Sequence, residues 1–192
     1  MDLRQRLKKE THNLHKKIEQ TSLFKKILLQ EISLCDYHLL IQKFYDFITP
    51  CEALIDSLPC KSIIENRKKQ PWLEQDLHAL KISTKNDTHF PKCIHLPALY
   101  DCEQVYGYLY VMEGATLGAQ VITKMLKTQL QITSDRGGRY FYGYGDMTKV
   151  MWNDFCLNLR NISDTEQQNK IVHSAIETMY RFYECMENKI IY

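Results

Sequence analysis

A helix-like stretch from Tyr106 to Leu130 carries glycine at 107, 114 and 118, positions where a helix former is expected. Each glycine inside a helix costs roughly 0.5–1 kcal/mol relative to alanine, because the backbone gives up more freedom there. At about 3.6 residues per turn, steps of seven and then four put all three on one face, with Val111 and Val121 beside them. That face is nearly flat. A bare strip of backbone suits a close neighbour, either a second helix or a flat ligand, and the strip alone leaves both open.

The rest of the chain also reads as helix. Glycine and proline number only seven and five in 192 residues, and apolar residues recur at three and four. A first helix is expected from about Asp2 to Gln20, with Leu3, Leu7, Leu14 and Ile18 as its stripe, and a second element from about Ser22 to Glu31. Ser33 or Asp36 caps a long helix bearing Tyr37, Leu40, Ile41, Phe44, Phe47 and Ile48, which Pro50 kinks before Pro59 stops it. Lys61 to Lys69 is mixed, and Pro71 opens a short helix through Leu80. Residues 82 to 97 read as a loop, and Asp101 helps start the glycine helix. A turn cluster from Ser134 to Arg139 leads into Tyr-Phe-Tyr-Gly-Tyr-Gly at 140 to 145. Helices at about 147 to 161 and 164 to 188, the last capped by Asp164, complete the chain. The expectation is one all-α domain over residues 1–192, an irregular bundle packed on the first helix and the glycine helix.

Composition removes several function classes. A net charge of +2 gives no spread basic footprint for nucleic acid. The seven cysteines, at 35, 51, 60, 93, 102, 156 and 185, contain no Cys-x-x-Cys pair, which argues against a disulfide framework or a zinc site. The first ten residues are too charged for a signal peptide, and no apolar run approaches the ~18 residues that a membrane span needs. A reducing cytosol is the expected, cytoplasmic location.

On the first helix, Lys8, Thr11, His12, His15 and Glu19 share a face set about a quarter turn from the leucine stripe. A histidine at such an edge reaches into a cleft while its other ring nitrogen stays near polar partners. An axial metal ligand needs that arrangement, because the second nitrogen must be held in one tautomer, and Glu19 is the natural holder. The plainer readings are a solvated histidine and a close helix crossing. Together, His15 and the glycine row suggest a flat ligand held between two helices, and haem fits physically: imidazole binds its iron axially and a small-residue wall lies over the other side.

At this point the residues resemble a known family. Leu7-Lys8-x-x-Thr11-x-x-x-His15-x-x-x-Glu19 is similar to the opening helix of haem oxygenases, and the run from Tyr110 to Gln120 is similar to their distal helix. The segment Phe141-Tyr142-Gly143-Tyr144-Gly145, followed by Trp152 and Phe155, resembles the bacterial branch associated with bacteriophytochromes. The resemblance implies an all-helical fold with haem as cofactor and substrate, cleaved with O2 and external electrons to biliverdin, carbon monoxide and ferrous iron. It makes His15 the iron ligand and Glu19 its polar neighbour. Gly114 and Gly118 become the distal wall, Lys8 a partner of a haem propionate, and Thr11 and Tyr110 pocket residues; Gly107 is left as a helix contact. Many members carry an aspartate where this chain has Ala115, so holding water near bound oxygen falls to Thr116, a tyrosine hydroxyl or backbone carbonyls. Ala119 replaces a common glycine and is expected to narrow the gap by a methyl. Lys149 and Arg139 are the candidates for a second propionate contact.

No flavin or nicotinamide fingerprint is present, so electrons must come from outside. The resemblance suggests a ferredoxin, flavodoxin or reductase as donor, and a bacteriophytochrome as recipient of the bilin. Lys8, Lys9, Lys16 and Lys17 form a basic surface that would attract an acidic donor. Two further readings stay open: a haem-binding sensor or carrier with little oxygenase activity, and the same helices serving another small molecule. Glu113 is expected to make a structural hydrogen bond or ion pair, Trp152 to pack, and Tyr140, Tyr142 and Tyr144 to cover the core with hydroxyls outward.

Overall fold

Capping residues decide where the helices begin. The computed structural model describes residues 2–81, 93 and 95–187. Asp2 opens α1 (Leu3–Glu19) by accepting from the Gln5 N–H, and Gln5 reaches back to the cap. Ser33 and Asp36 make the same reciprocal box at α3 (Leu34–Asp56), as do Asp101 and Gln104 at α5 (Cys102–Leu130). Asp164 accepts from the Gln167 N–H at 2.8 Å where α8 (Thr165–Glu187) starts. Each such cap satisfies amides that the helix itself cannot, and removing one typically costs ~1 kcal/mol.

Between these lie α2 (Ser22–Leu28), two 3-10 turns (Lys61–Ile63 and Glu65–Arg67) and α4 (Gln70–Ala79), with Pro71 in its first turn. After α5 come α6 (Arg139–Tyr142), a 3-10 turn (Gly145–Met147) and α7 (Thr148–Arg160). The mixed reading of Lys61 to Lys69 thus becomes two tight turns. The long helix continues through Pro50 to Asp56, ending before Pro59. Most of the expected 82–97 loop, including Asn86, Asp87 and Pro91, lies outside the described residues.

The result is an all-α, irregular bundle with no strand among the described residues. Its centre differs from expectation. The last helix, not the first, joins the parts: α8 packs most extensively on α5 and next on α1. Its apolar stripe of Ile171, Val172, Ala175, Met179 and Phe182 is buried, so it supplies a face for both. An aromatic cluster continues this core. Phe44 meets Tyr140, Phe141 and Phe182 at centroid distances of 4.6, 5.7 and 5.1 Å.

Two cross-connections fix the bundle's loops. The buried Tyr37 hydroxyl donates to the carbonyl of Gly137 at 2.6 Å, tying α3 to the turn before α6. Cys93 and Cys185 form a disulfide that fastens the segment ahead of α5 to the end of α8. The expectation was against a disulfide framework, and the fold joins this one pair while leaving five cysteines free. The partners are 92 residues apart, a closeness that chain spacing cannot show. Among the described residues no helix is long and apolar enough to cross a membrane.

Candidate functional site

The three glycines share a face of α5, yet their surroundings differ. A Cβ on Gly107 would stand 2.6 Å from the Ile171 carbonyl oxygen and 2.8 Å from the Ala175 nitrogen, so here the strip is a close crossing with α8. At Gly114 the neighbour is the Trp152 ring, at 3.7 Å, an ordinary contact. At Gly118 nothing lies within 4 Å. Packing explains the first glycine alone. Beside Gly118 the helix exposes Ala115, Leu117 and Val121, apolar residues in the middle of an otherwise well-packed helix.

Helix α1 approaches this face from its own polar side. The Arg4 guanidinium lies 5.9 Å from the centre of the Trp152 ring. Thr11, buried beside the Tyr110 phenol, donates its own proton to the Leu7 carbonyl at 2.8 Å. Burial pushes the Tyr110 phenol above its usual range, so it stays protonated and able to donate. His15 lies one turn after Thr11 on α1, and Gly114 one turn after Tyr110 on α5. His15 keeps 60% of its side chain exposed, and its Nδ1 lies 3.5 Å from Oε1 of Glu19. A carboxylate at Nδ1 holds the proton there and leaves Nε2 as the free lone pair. Lys8 is exposed on the same side of α1, and Lys149 is exposed at the start of α7.

Thr116 is not brought to this wall. It sits about 200° round the helix from both Gly114 and Gly118, is buried, and donates its hydroxyl to the Glu113 carbonyl at 2.6 Å. Nor does Ala119 narrow the gap, because its methyl is buried in the core. Trp152 packs as expected, with its ring 5.9 Å from Tyr110 and also against Gly114.

Behind the wall is a charged cluster that sequence reasoning saw only from one side. Glu113, wholly buried, takes Arg67 on Oε2 and Lys69 on Oε1, each at 2.6 Å. The Tyr144 hydroxyl also donates to Oε1, at 2.8 Å, so this tyrosine points inward rather than over the surface. Tyr140 is likewise buried, and only Tyr142 of the three is exposed. Arg139 stacks over Trp72 at 4.7 Å and donates its backbone N–H to Asp76, which places it with α4. Burial pulls the Lys69 amine below its usual value, partly offset by Glu113, and burial raises the Tyr144 phenol. Arg67 and Lys69 lie in the mixed stretch. Two cations without an amphipathic pattern, close to a proline-opened helix, were the only hint.

The chain therefore carries an imidazole beside a carboxylate on α1, a bare patch with an apolar border on α5, and exposed lysines on α1 and α7. A flat, metal-bearing ligand with acidic substituents fits this set, since a Cβ at Gly118 would project into open space rather than into protein.

Known proteins agree with this architecture. The chain superimposes on a haem oxygenase from Neisseria meningitidis, described in its NO- and CO-bound forms, with TM-score 0.78 and 19% identity, covering 97% of this chain and 90% of that one. For the haem oxygenase of Leptospira interrogans the values are 0.78, 15%, 97% and 99%. For a haem oxygenase from the cyanobacterium Synechocystis in complex with haem they are 0.78, 18%, 97% and 91%. At such identities the likeness establishes the fold. No curated protein matches. The sequence model of the family described as haem oxygenase matches residues 1–189, and the chain belongs to the haem oxygenase family.

Proposed function

We propose that the protein is a working haem oxygenase that opens haem to biliverdin, carbon monoxide and ferrous iron with O2 and external electrons. The observation that carries this reading is the His15–Glu19 pair on the exposed face of α1, with Nδ1 3.5 Å from the carboxylate one turn on. Bound haem would supply the iron that activates oxygen and the meso carbon that is attacked. The chain's own residues do the rest. His15 Nε2 would hold the iron, with Glu19 at Nδ1 fixing the tautomer. Gly114 and Gly118 would leave room for haem beside the α5 backbone, and peptide carbonyls or the Tyr110 hydroxyl would hold water there in place of a carboxylate. Lys8 and Lys149, both exposed, would pair with the propionates. The apolar border of Leu117 and Val121 excludes bulk water from the reacting face.

Thr116 has no part in this assignment, since its hydroxyl serves its own helix. Electrons come from a ferredoxin, flavodoxin or reductase attracted to the lysines of α1, in the cytosol, and the bilin passes to an acceptor such as a bacteriophytochrome. Ala115 favours a second reading, a haem-binding sensor or carrier, because the exposed wall offers no side-chain acceptor at that position.

Mixing the protein with haemin and ascorbate and following the visible spectrum separates the two. Loss of the Soret band with growth of a bilin absorbance is expected. Stable, intact haem selects the carrier. His15→Ala should abolish the histidine-ligated spectrum; an unchanged one moves the ligand elsewhere, with His12 next in line.

A further inference from the structure

Arg67 joins the two helices that meet at Gly114. Its Nη1 donates to Glu113 Oε2 at 2.6 Å and to the Met151 carbonyl at 3.1 Å, and its Nη2 donates to Asp154 Oδ2 at 2.6 Å. Glu113 immediately precedes Gly114 on α5, while Met151 and Asp154 flank Trp152 on α7. Trp152 is the group that a Cβ at Gly114 would touch, at 3.7 Å. One planar guanidinium thus reaches both helices beside their contact.

We propose that Arg67 is a positioning residue that sets the spacing and rotation of α5 against α7, and so the shape of the glycine wall. Its consequence for turnover rests on the haem oxygenase reading; its effect on the two helices does not. Three observations carry it. Arg67 is 6% exposed and packed on the Phe155 ring of α7, 5.7 Å from its centre, so the fork cannot swing. The second Glu113 oxygen is held by Lys69 from the same short connection, and the Lys69 N–H is in turn held by Glu52 of α3 at 2.7 Å. Rotating α5 therefore breaks two buried charge pairs, and breaking a buried pair is far costlier than its net contribution suggests. Finally, the fork geometry is specific to arginine. A lysine ammonium is a point charge and cannot serve Glu113 and Asp154 along two fixed directions.

A purely adhesive role would lower stability everywhere. A positioning role predicts a local effect, which amide exchange of the apoprotein can read peptide by peptide. Arg67→Lys should speed exchange in peptides covering 111–121 and 148–156 and leave those of α3 and mid-α8 as they were. Asp154→Ala removes only the partner that is 62% exposed, so folding is not at risk, and should give a smaller change in the same peptides. With haemin, Arg67→Lys should keep the axial ligation spectrum while slowing bilin formation at least tenfold, toward the ~100-fold that a misplacement of about 1 Å can cost. Exchange that is unchanged in those peptides, or raised equally throughout, overturns the proposal. If wild-type protein leaves haem intact, the functional reading fails, and the exchange measurements still decide the role of Arg67.

Discussion

Gly107 and Gly118 share one face of α5, but an added methyl would strike the α8 backbone at the first and reach open space at the second. Periodicity sees one feature where the fold has two.

Opposite outcomes for the same substitution follow. Gly107→Ala forces backbone atoms apart and should destabilise by about 1–3 kcal/mol, as overpacking does. Gly118→Ala should stabilise the apoprotein by roughly 0.5–1 kcal/mol through helix propensity and weaken haemin binding by placing a methyl on the wall. Urea unfolding and haemin titration of the two variants check both signs. A Gly118→Ala protein that binds haemin as tightly as wild type would remove Gly118 from the site.

Glu19, with Oε1 3.5 Å from Nδ1, is placed to hold the His15 ring. Glu19→Ala should lower haemin affinity by about tenfold, the lower end of the usual effect of removing a ligand's hydrogen-bonded partner. Glu19→Gln, which keeps an acceptor oxygen, should lose less. Absorbance titrations with haemin distinguish these from a solvated, uninvolved carboxylate, for which both variants would match wild type.

Local signals were the legible ones. Ser33, Asp101 and Asp164 announce their helices through bonds to residues three positions on and cap as expected, and Asp2, read as the start of its helix, caps it in the same way. The His15–Glu19 pair was legible for the same reason, since helical spacing alone brings them together. Thr116 was misplaced although the 100° advance already set it opposite the wall. The arrangement behind the wall was out of reach: Arg67 and Glu113 are 46 residues apart, and only the packing of α5 and α7 on the 3-10 turn brings them together. Glu113 could be given a partner in principle, but not a named one.

The Cys93–Cys185 link makes a simple count decisive. Five cysteines are free, at 35, 51, 60, 102 and 156, so unfolded but unreduced protein should titrate five thiols, rising to seven after reduction. Closing so long a loop is worth about 4–5 kcal/mol in the chain-entropy account, so reduction should also lower the unfolding midpoint. Seven thiols before reduction would show that the two sulphurs are neighbours without a bond.

Asp76 gives stability a pH dependence of unusual sign. Its carboxylate accepts from the backbone N–H groups of Arg139 and Tyr140, at 2.6 and 2.8 Å, and so anchors α6 to α4. Burial outweighs those bonds and raises its pKa from the ordinary 3.8 to about 6. Between these values the folded protein holds a proton that the unfolded chain has released. The contribution of this group is therefore complete below pH ~4 and is lost as pH rises through about 6. The separation corresponds to a few kcal/mol at most. Asp76→Asn keeps one acceptor and removes the titration. The stability difference, wild type minus variant, should therefore fall between pH 4 and pH 7 in urea unfolding. A constant difference would mean that Asp76 is ionised throughout, with its two amide bonds outweighing the burial.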